Sequence, residues 1–219
     1  MAHRPRSEMI AETRAKLLAA ARHAFGTKGY AEASMDDFTA EAGLTRGALY
    51  HHFGDKKGLL QAVVAEIDAE MNARAQQLSR GAADPWRGFV VENTGYLEMA
   101  LEPEIQRILL RDGPAVLGDP STWPSQGECV RSMTGTLQRL AADGVIVPVP
   151  AEATARLLNG AVLQAALWIA NAPDPVTAAK AAVEALEALL HGLLRRPEGR
   201  GDEGRDPGVV SPSTTGRDR

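Results

Sequence analysis

Residues 34–53 read SMDDFTAEAGLTRGALYHHF, and this stretch predicts two short helices joined by a tight turn. Ser34 followed by Asp37 three residues later has the spacing of a capping box, in which side chains and backbone N–H groups pair at a helix start. Gly43 permits the positive φ that ends this helix, and Thr45 can cap the next one. A capped helix, a three-residue turn and a second two-turn helix together predict a helix-turn-helix.

The second helix of this pair has a buried and an exposed side. Leu49 and Phe53 lie four residues apart and face inward. The other positions combine glycine and alanine, which let a backbone approach a surface closely, with side chains that donate hydrogen bonds. A DNA major groove, lined with acceptors and phosphates, is one such surface. These exposed positions are Arg46, Gly47, Ala48, Tyr50, His51 and His52.

The rest of the chain is also patterned as helices. Alanine and leucine recur at three- and four-residue spacing while strand patterns are nearly absent, so the predicted fold class is all-α. A first helix ends at Gly29, and Asp55 caps a long fourth helix. Their inward stripes are Ile10, Leu17, Leu18, Ala21, Ala24 and Phe25, and Leu59, Leu60, Val63, Val64, Ile67, Met71 and Leu78. Further helices are predicted over 85–101, 103–112, 123–143, 151–171 and 174–194, with breaks at Pro103, Gly113-Pro114, Gly144 and Pro173.

Length, charge and the first residues indicate the number of domains, the kind of partner and the location of the protein. The 219 residues suffice for one large domain or two unequal ones, and 24% charged residues is ordinary for a globular chain. The formal net charge is −4, which by itself disfavours a phosphate-rich partner. However, the first 57 residues hold nine Lys and Arg against seven Asp and Glu, so the acidity belongs to the remainder. The polar start leads into no apolar signal segment, so a cytoplasmic protein is expected.

Metal, disulfide and enzyme chemistry find little support in the sequence. The single Cys129 cannot form an intramolecular disulfide, and no Cys/His cluster has zinc spacing. His51 and His52 diverge by about 100° around a helix, so they rarely share an ion. Phosphate-binding glycine loops and hydrolase or metalloprotease motifs are also missing from the sequence. We therefore expect no metal, no cofactor and no enzymatic activity.

Three runs of sequence resemble the N-terminal domain of the TetR/AcrR family of bacterial regulators. They are FGTKGY at 25–30, AGLTRGALYHHF at 42–53 and KKGLL at 56–60, within a match over roughly residues 9–65. The resemblance implies a three-helix DNA-binding domain over 1–55 and a helical ligand-binding and dimerisation domain over 56–195. Residues 196–219 are rich in Gly, Pro, Ser, Thr and charge, and are predicted to form a disordered tail. Phe38 and Thr39 depart from the family pattern, in which an aliphatic residue and a small alanine are usual.

The resemblance also implies roles for individual residues. Phosphate contacts are implied for Ser34, Thr45, Tyr50, His52 and Lys56, and positions nearest the base edges for Arg46, Gly47, Ala48 and His51. Arg46 is the candidate for a guanine contact, because its guanidinium matches the O6 and N7 acceptors.

A homodimeric repressor that binds a palindromic operator and is released by a small-molecule effector is the function that this resemblance implies. Activation is an alternative, because the sign depends on where the operator lies relative to the promoter. A second alternative is a small-molecule binding or scaffold protein that has the same fold without DNA binding.

The C-terminal region offers candidates for the effector site and for a dimer interface. Large apolar side chains with a few polar neighbours favour a largely hydrophobic effector, although each is equally compatible with ordinary core packing. The candidate ligand-binding residues are Phe89, Asn93, Tyr96, Met99, Ile105, Leu109, Met133, Leu137, Gln164 and Trp168, with Trp86, Trp123 and Asn159 in the same region. The last two helices carry small apolar faces that suit either an intermolecular four-helix bundle or packing within one subunit. These faces are Leu157, Leu158, Ala161, Val162, Ala165 and Ala166, and Ala178, Ala181, Ala182, Ala185, Leu186, Leu189 and Leu193.

Overall fold

The computed structural model describes residues 5–195, and this range is built from helices. The first helices are α1 (Arg6–Lys28), α2 (Met35–Ala42), α3 (Arg46–Phe53) and the long α4 (Lys56–Arg80). They are followed by α5 (Pro85–Met99), a π-helical segment (Ile105–Asp112, the π segment), α6 (Gly113–Leu117), a 3-10 turn (Pro120–Thr122), α7 (Pro124–Ala142), α8 (Ala151–Asn171) and α9 (Pro175–His191). The predicted all-α class is confirmed. Within residues 5–195, β-structure is limited to one isolated bridge between Ile146 and Leu194.

The first three helices share a small core built around aromatic rings. Phe25 of α1 and Phe38 of α2 pack edge to face with their ring centroids 5.2 Å apart, and both are fully buried. Leu49 of α3 is also fully buried. Thr39 is buried as well, and its hydroxyl donates to the Met35 carbonyl at 3.0 Å. The two departures from the family pattern are thus accommodated by an aromatic pair and by a satisfied hydroxyl.

The remaining helices pack around α4 and α8. α4 lies against α5, while α8 lies between α7 and α9 and also contacts the π segment. α4 buries a stripe that includes Leu59, Val63, Ile67 and Met71, as its periodicity predicts. Because α4 begins at Lys56 beside α3 and continues into the C-terminal helices, one rigid element joins the two parts of the chain.

The chain does not break at Gly113-Pro114, so that prediction was wrong. The π segment runs directly into α6, and Gly113 donates its N–H to the carbonyl of Ile108, five residues earlier. Pro114 lacks an N–H, so the continuous helix has no backbone hydrogen bond from this position. The wider π turn therefore takes up the irregularity that was expected to end the helix.

Other differences concern the ends of the predicted stripes and helices. Two residues predicted to face inward are exposed: Ile10 by 45% and Leu78 by 50%. The buried residues of α1 begin only at Leu17. The last predicted helix ends at His191, since the chain then turns and Val147 donates to the carbonyl of Leu193 at 2.8 Å. Between residues 5 and 195 no helix is long and apolar enough to cross a membrane. The predicted tail over 196–219 lies outside the described residues.

Candidate nucleic-acid interface and effector cavities

The helix-turn-helix is held by hydrogen bonds between close neighbours in sequence. Ser34 Oγ accepts from the Asp37 N–H at 3.1 Å, and Asp37 Oδ2 accepts from the Ser34 N–H at 2.9 Å, which confirms the capping box. Gly43 has the left-handed conformation with φ of 64°, and Leu44 donates to the carbonyl of Thr39 at 2.9 Å. These contacts stop α2 and set the direction in which α3 starts.

Asp37 has a second partner outside the turn. Lys28 Nζ lies 3.0 Å from Asp37 Oδ1, the oxygen that does not accept from Ser34. The Lys28 ammonium, followed by the hydrogen bonds to Ser34, lowers the pKa of Asp37 to about 2. The carboxylate that caps α2 therefore also ties α2 to the end of α1.

α3 presents most of its predicted contact residues to solvent. Thr45 caps the helix by accepting from the Ala48 N–H at 3.3 Å. Along α3, the buried position is Leu49, and Phe53 is half-buried. Among the nine predicted DNA contacts, the exposed residues are Ser34, Thr45, Arg46, Gly47, Tyr50 and His51, and the half-buried ones are Ala48, His52 and Lys56. The two-turn helix thus has a solvent-facing side that ends at the start of α4.

Lys56 is anchored by groups that the sequence pattern did not single out. Its Nζ lies 4.4 Å from the centroid of the Tyr30 ring and donates to the carbonyl of Ala31 at 3.3 Å. An ammonium over an aromatic face is attracted by the negative face of the ring. Tyr30 and the carbonyl therefore hold this cation at the junction of α3 and α4.

Arg46 is paired within the protein. Its Nε donates to Asp36 Oδ1 at 2.6 Å, and its Nη2 donates to the second oxygen of the same carboxylate. The guanidinium lowers the pKa of Asp36 in turn. Both side chains are well exposed, so the pair is easily opened. Asp36 is a functional neighbour that sequence reasoning missed, because the pairing joins two helices rather than one turn.

A cavity of about 260 Å³ lies between α4, α5, α7 and α8, and is called here the inner cavity. Four of the ten predicted ligand-binding residues line it, namely Phe89, Asn93, Tyr96 and Met133, together with Asn159. The other six are not part of its wall. Met99, Ile105, Leu109 and Leu137 are buried elsewhere in the core, while Gln164 and Trp168 are exposed on α8.

Sequence reasoning also missed several polar residues of the inner cavity. Glu92 lines it, and burial raises the pKa of this carboxyl. Cys129 lies in the wall with its thiol 3.5 Å from the Asn72 amide oxygen, and burial raises its pKa to about 11. Such a thiol is protonated at neutral pH and is a poor nucleophile. Polar residues at helical spacing usually face solvent, so no local signal distinguishes these.

A second, larger cavity of about 550 Å³ runs along α4, and is called here the α4 groove. α4 forms one wall from Lys57 to Gln76, and Leu117, Trp123 and Pro124 belong to the opposite wall. Asp68 lies in the α4 wall and is only 3% exposed. Its Oδ1 accepts from the Tyr96 hydroxyl at 3.4 Å. Burial raises the pKa of Asp68, against the lowering influence of Ser125 and Tyr96.

Comparison with known proteins agrees with this architecture. The family model described as "Bacterial regulatory proteins, tetR family" matches residues 17–63, and "Tetracyclin repressor-like, C-terminal domain" matches residues 86–193. A TetR-family transcriptional regulator from Pectobacterium atrosepticum is 54% identical, with a TM-score of 0.82, over 89% of this chain and all of that one. The chain belongs to the TetR family. It is a DNA-binding transcriptional regulator of that family.

Curated relatives match the TetR-family chain mainly in its N-terminal part. The HTH-type transcriptional repressor AcnR of Corynebacterium glutamicum is 34% identical over 101 residues, which are 46% of this chain and 52% of AcnR. The HTH-type transcriptional regulator TtgR of Pseudomonas putida is 39% identical over 80 residues, which are 36% of this chain and 38% of TtgR. The matches therefore span about half or less of these two relatives.

In this TetR-family chain, charged contacts connect α1 to α4 and to the start of the π segment. Arg22 of α1 donates to both Glu104 oxygens, at 2.8 and 2.9 Å. The same guanidinium donates to Glu70 at 2.7 and 2.8 Å and to Glu66 at 3.1 Å, both on α4. Arg107 in the π segment donates to two carbonyls at the C-terminal end of α1. A displacement of α4 or of the π segment would therefore be transmitted to α1 through these contacts.

Proposed function

We propose that the chain acts as a homodimeric repressor that binds a palindromic operator through α3 and leaves it when a small molecule enters the C-terminal part. The observation that carries the proposal is the exposed side of α3, which presents Arg46, Gly47, Tyr50 and His51 beyond a capped turn while Leu49 fixes the helix on the core. A dimer would present two such helices to half-sites about one helical turn apart.

A mobility shift with DNA flanking the chain's own gene tests the proposal. Wild-type protein is expected to give a sequence-specific shift that weakens steeply with salt. Arg46→Ala is expected to lose about 1–3 kcal/mol of base discrimination in each half-site. The matched control is Arg156→Ala, because Arg156 is also exposed and paired with a carboxylate, Glu152 at 2.8 Å, but lies on α8. This control should bind as wild type does.

Two results of this assay would contradict the proposal. One is the absence of any specific, salt-sensitive shift with wild-type protein, which would favour the small-molecule binding or scaffold alternative. The other is an equal loss in Arg46→Ala and Arg156→Ala, which would show that α3 has no special part in DNA recognition.

Exposed apolar residues on α8 and α9 support a dimer. Each predicted face is split: Val162, Ala166, Ala178, Ala182 and Leu186 are buried within the subunit. Other residues of the two faces are exposed to solvent, with Leu157 on α8 76% exposed and Leu189 on α9 63% exposed. Trp168, at helical spacing from Leu157, belongs to the same outer side of α8. Large exposed apolar side chains in one patch are typical of an interaction site.

The inner cavity supports an effector site that is coupled to DNA binding. It lies against α4, the helix that begins at Lys56 directly after the helix-turn-helix. A coupling of about 1–3 kcal/mol between the two sites would change operator affinity roughly 5–150-fold. The charged links from Arg22 to α4 and to Glu104 offer a physical route for this coupling.

A further inference from the structure

Two buried polar atoms remain unpaired in the walls of the α4 groove. Asp68 Oδ2 and Trp123 Nε1 have no hydrogen-bond partner within 3.5 Å among residues 5–195, although the Ser125 hydroxyl is close enough to Asp68 to lower the pKa of its carboxyl. Asp68, Trp123 and Ser125 all line the groove. Asp68 has already used Oδ1 to accept from Tyr96. Buried polar groups are nearly always hydrogen-bonded, so two exceptions on one cavity require an explanation.

The two atoms have complementary requirements. A carboxylate oxygen accepts hydrogen bonds only, whereas an indole N–H donates only. Another carboxylate, Glu128, also lines the groove, and Lys57 is a cation at its far end. The wall between them carries apolar Ala65 and Ala69 on α4 and Leu117 opposite, interspersed with polar side chains. These polar residues are Gln61, Asn72, Gln76 and Ser125. The groove therefore combines apolar positions with a buried acidic acceptor and a buried indole donor, both of which lack a partner within 3.5 Å.

We propose that the α4 groove binds a small organic amine with an apolar body, whose ammonium donates to Asp68 Oδ2 and whose ether or carbonyl oxygen accepts from Trp123 Nε1. A charge-assisted hydrogen bond to a buried carboxylate is stronger than a neutral one. The volume of about 550 Å³ suits a drug-sized molecule and far exceeds that of a bound water. Both polar atoms expose less than 1 Å², so binding of the amine requires the Asp68 and Trp123 side chains to turn toward the groove.

Such an amine would lie against α4, the helix that also carries Lys56, a predicted DNA contact. The α4 wall extends from Lys57 to Gln76, about 30 Å along the helix axis. The groove also shares Asn72, Gln76 and Glu128 with the inner cavity. A regulatory role for this amine, in addition to an effector in the inner cavity, rests on the proposed function, whereas its binding to the groove does not.

The test is calorimetry on the full chain without DNA, using ω-phenoxyalkylamines with two to six methylenes. Each is compared with the ω-phenoxyalkanol and the ω-phenylalkylamine of the same length, which lack the ammonium and the ether oxygen respectively. The best phenoxyalkylamine is expected to bind wild-type protein at least tenfold more tightly than its alcohol. Asp68→Asn should remove this preference, and Trp123→Phe should remove only the advantage of the ether oxygen. Glu152→Gln, which changes an exposed carboxylate on α8, should behave as wild type.

An equal affinity of wild-type protein for amine and alcohol would overturn the inference, and so would a preference that survives in Asp68→Asn. The comparison of amine with alcohol uses wild-type protein, so it remains decisive even if a variant fails to fold. The operator mobility shift separates this inference from the proposed function. Operator binding without an amine preference would overturn the inference alone, and an amine preference without operator binding would overturn the proposed function alone.

Discussion

Gly58 is predicted to be indispensable for the angle between α3 and α4. It lies in the first turn of α4, where its N–H donates to the Asp55 cap at 2.7 Å. A Cβ at this position would lie 2.1 Å from the carbonyl oxygen of Phe53, the last residue of α3. The obstacle is backbone rather than the end of a flexible side chain. Gly58→Ala therefore forces the two helices apart by about 1 Å to restore a normal carbon–oxygen contact of roughly 3.3 Å.

The expected cost follows from two opposing effects. Overpacking costs about 1–3 kcal/mol, and a rigid obstacle places this case near the upper value. Alanine gains about 1 kcal/mol over glycine in a helix, so the net destabilisation is about 2 kcal/mol. For a chain of this size that corresponds to a melting temperature lower by about 4–8 °C. Because α3 is displaced relative to α4, operator affinity should fall by about tenfold or more.

Thermal unfolding followed by circular dichroism and the operator mobility shift measure these two effects. Gly26→Ala in α1 is the matched control, because a Cβ there would lie 3.9 Å from both Glu104 Cγ and Ile108 Cδ1, in ordinary contact. This control should melt at or slightly above the wild-type temperature and bind the operator normally. If Gly58→Ala melts and binds as Gly26→Ala does, the reasoning about the α3–α4 junction is refuted.

Two further predictions concern the dimer and the cap of α2. Leu157→Glu places a charge in the exposed apolar patch on α8, so light scattering should show monomers instead of dimers. Met9→Glu changes an exposed apolar residue on α1 and should leave the dimer intact. An unchanged mass for both variants would refute the interface. Asp37→Asn should lower the free energy of unfolding at neutral pH. The pKa of Asp37 is lowered to about 2 from an ordinary value of 3.8, so its stabilisation is complete above about pH 4 and is lost as the pH falls toward 2. Unfolding free energies of both proteins should therefore converge near pH 2, and a gap that is independent of pH would contradict this.

Sequence reasoning was most accurate where structure depends on neighbouring residues. The caps at Ser34, Thr45 and Asp55 are present with the predicted donors and acceptors. A cap is a hydrogen bond between residues two or three positions apart, so its components are visible in a short window. The same reasoning failed at Gly113, where a π turn carries the chain through a glycine and a proline.

The effector region shows why the rest could not be predicted in the same way. Tyr96 lines the inner cavity, whereas Leu109 and Leu137 fill the core and Trp168 is exposed, although all lie on helices with similar apolar spacing. Periodicity tells which side of a helix is apolar but not whether that side meets another helix, a cavity or a second subunit. That depends on how four helices are oriented against one another.

The amino-acid order alone was sufficient for the all-α class, the helix-turn-helix and the identity of its exposed side, since these follow from local capping and from the periodicity of single helices. The packed arrangement was needed for the rest. It pairs Arg46 with Asp36 on another helix, brings Gly58 against the carbonyl of Phe53, and leaves Asp68 with an unpaired oxygen on the α4 groove. Each of these contacts joins different helices or a helix and a cavity, and such contacts depend on helix orientation, which leaves no signature in a short stretch of sequence.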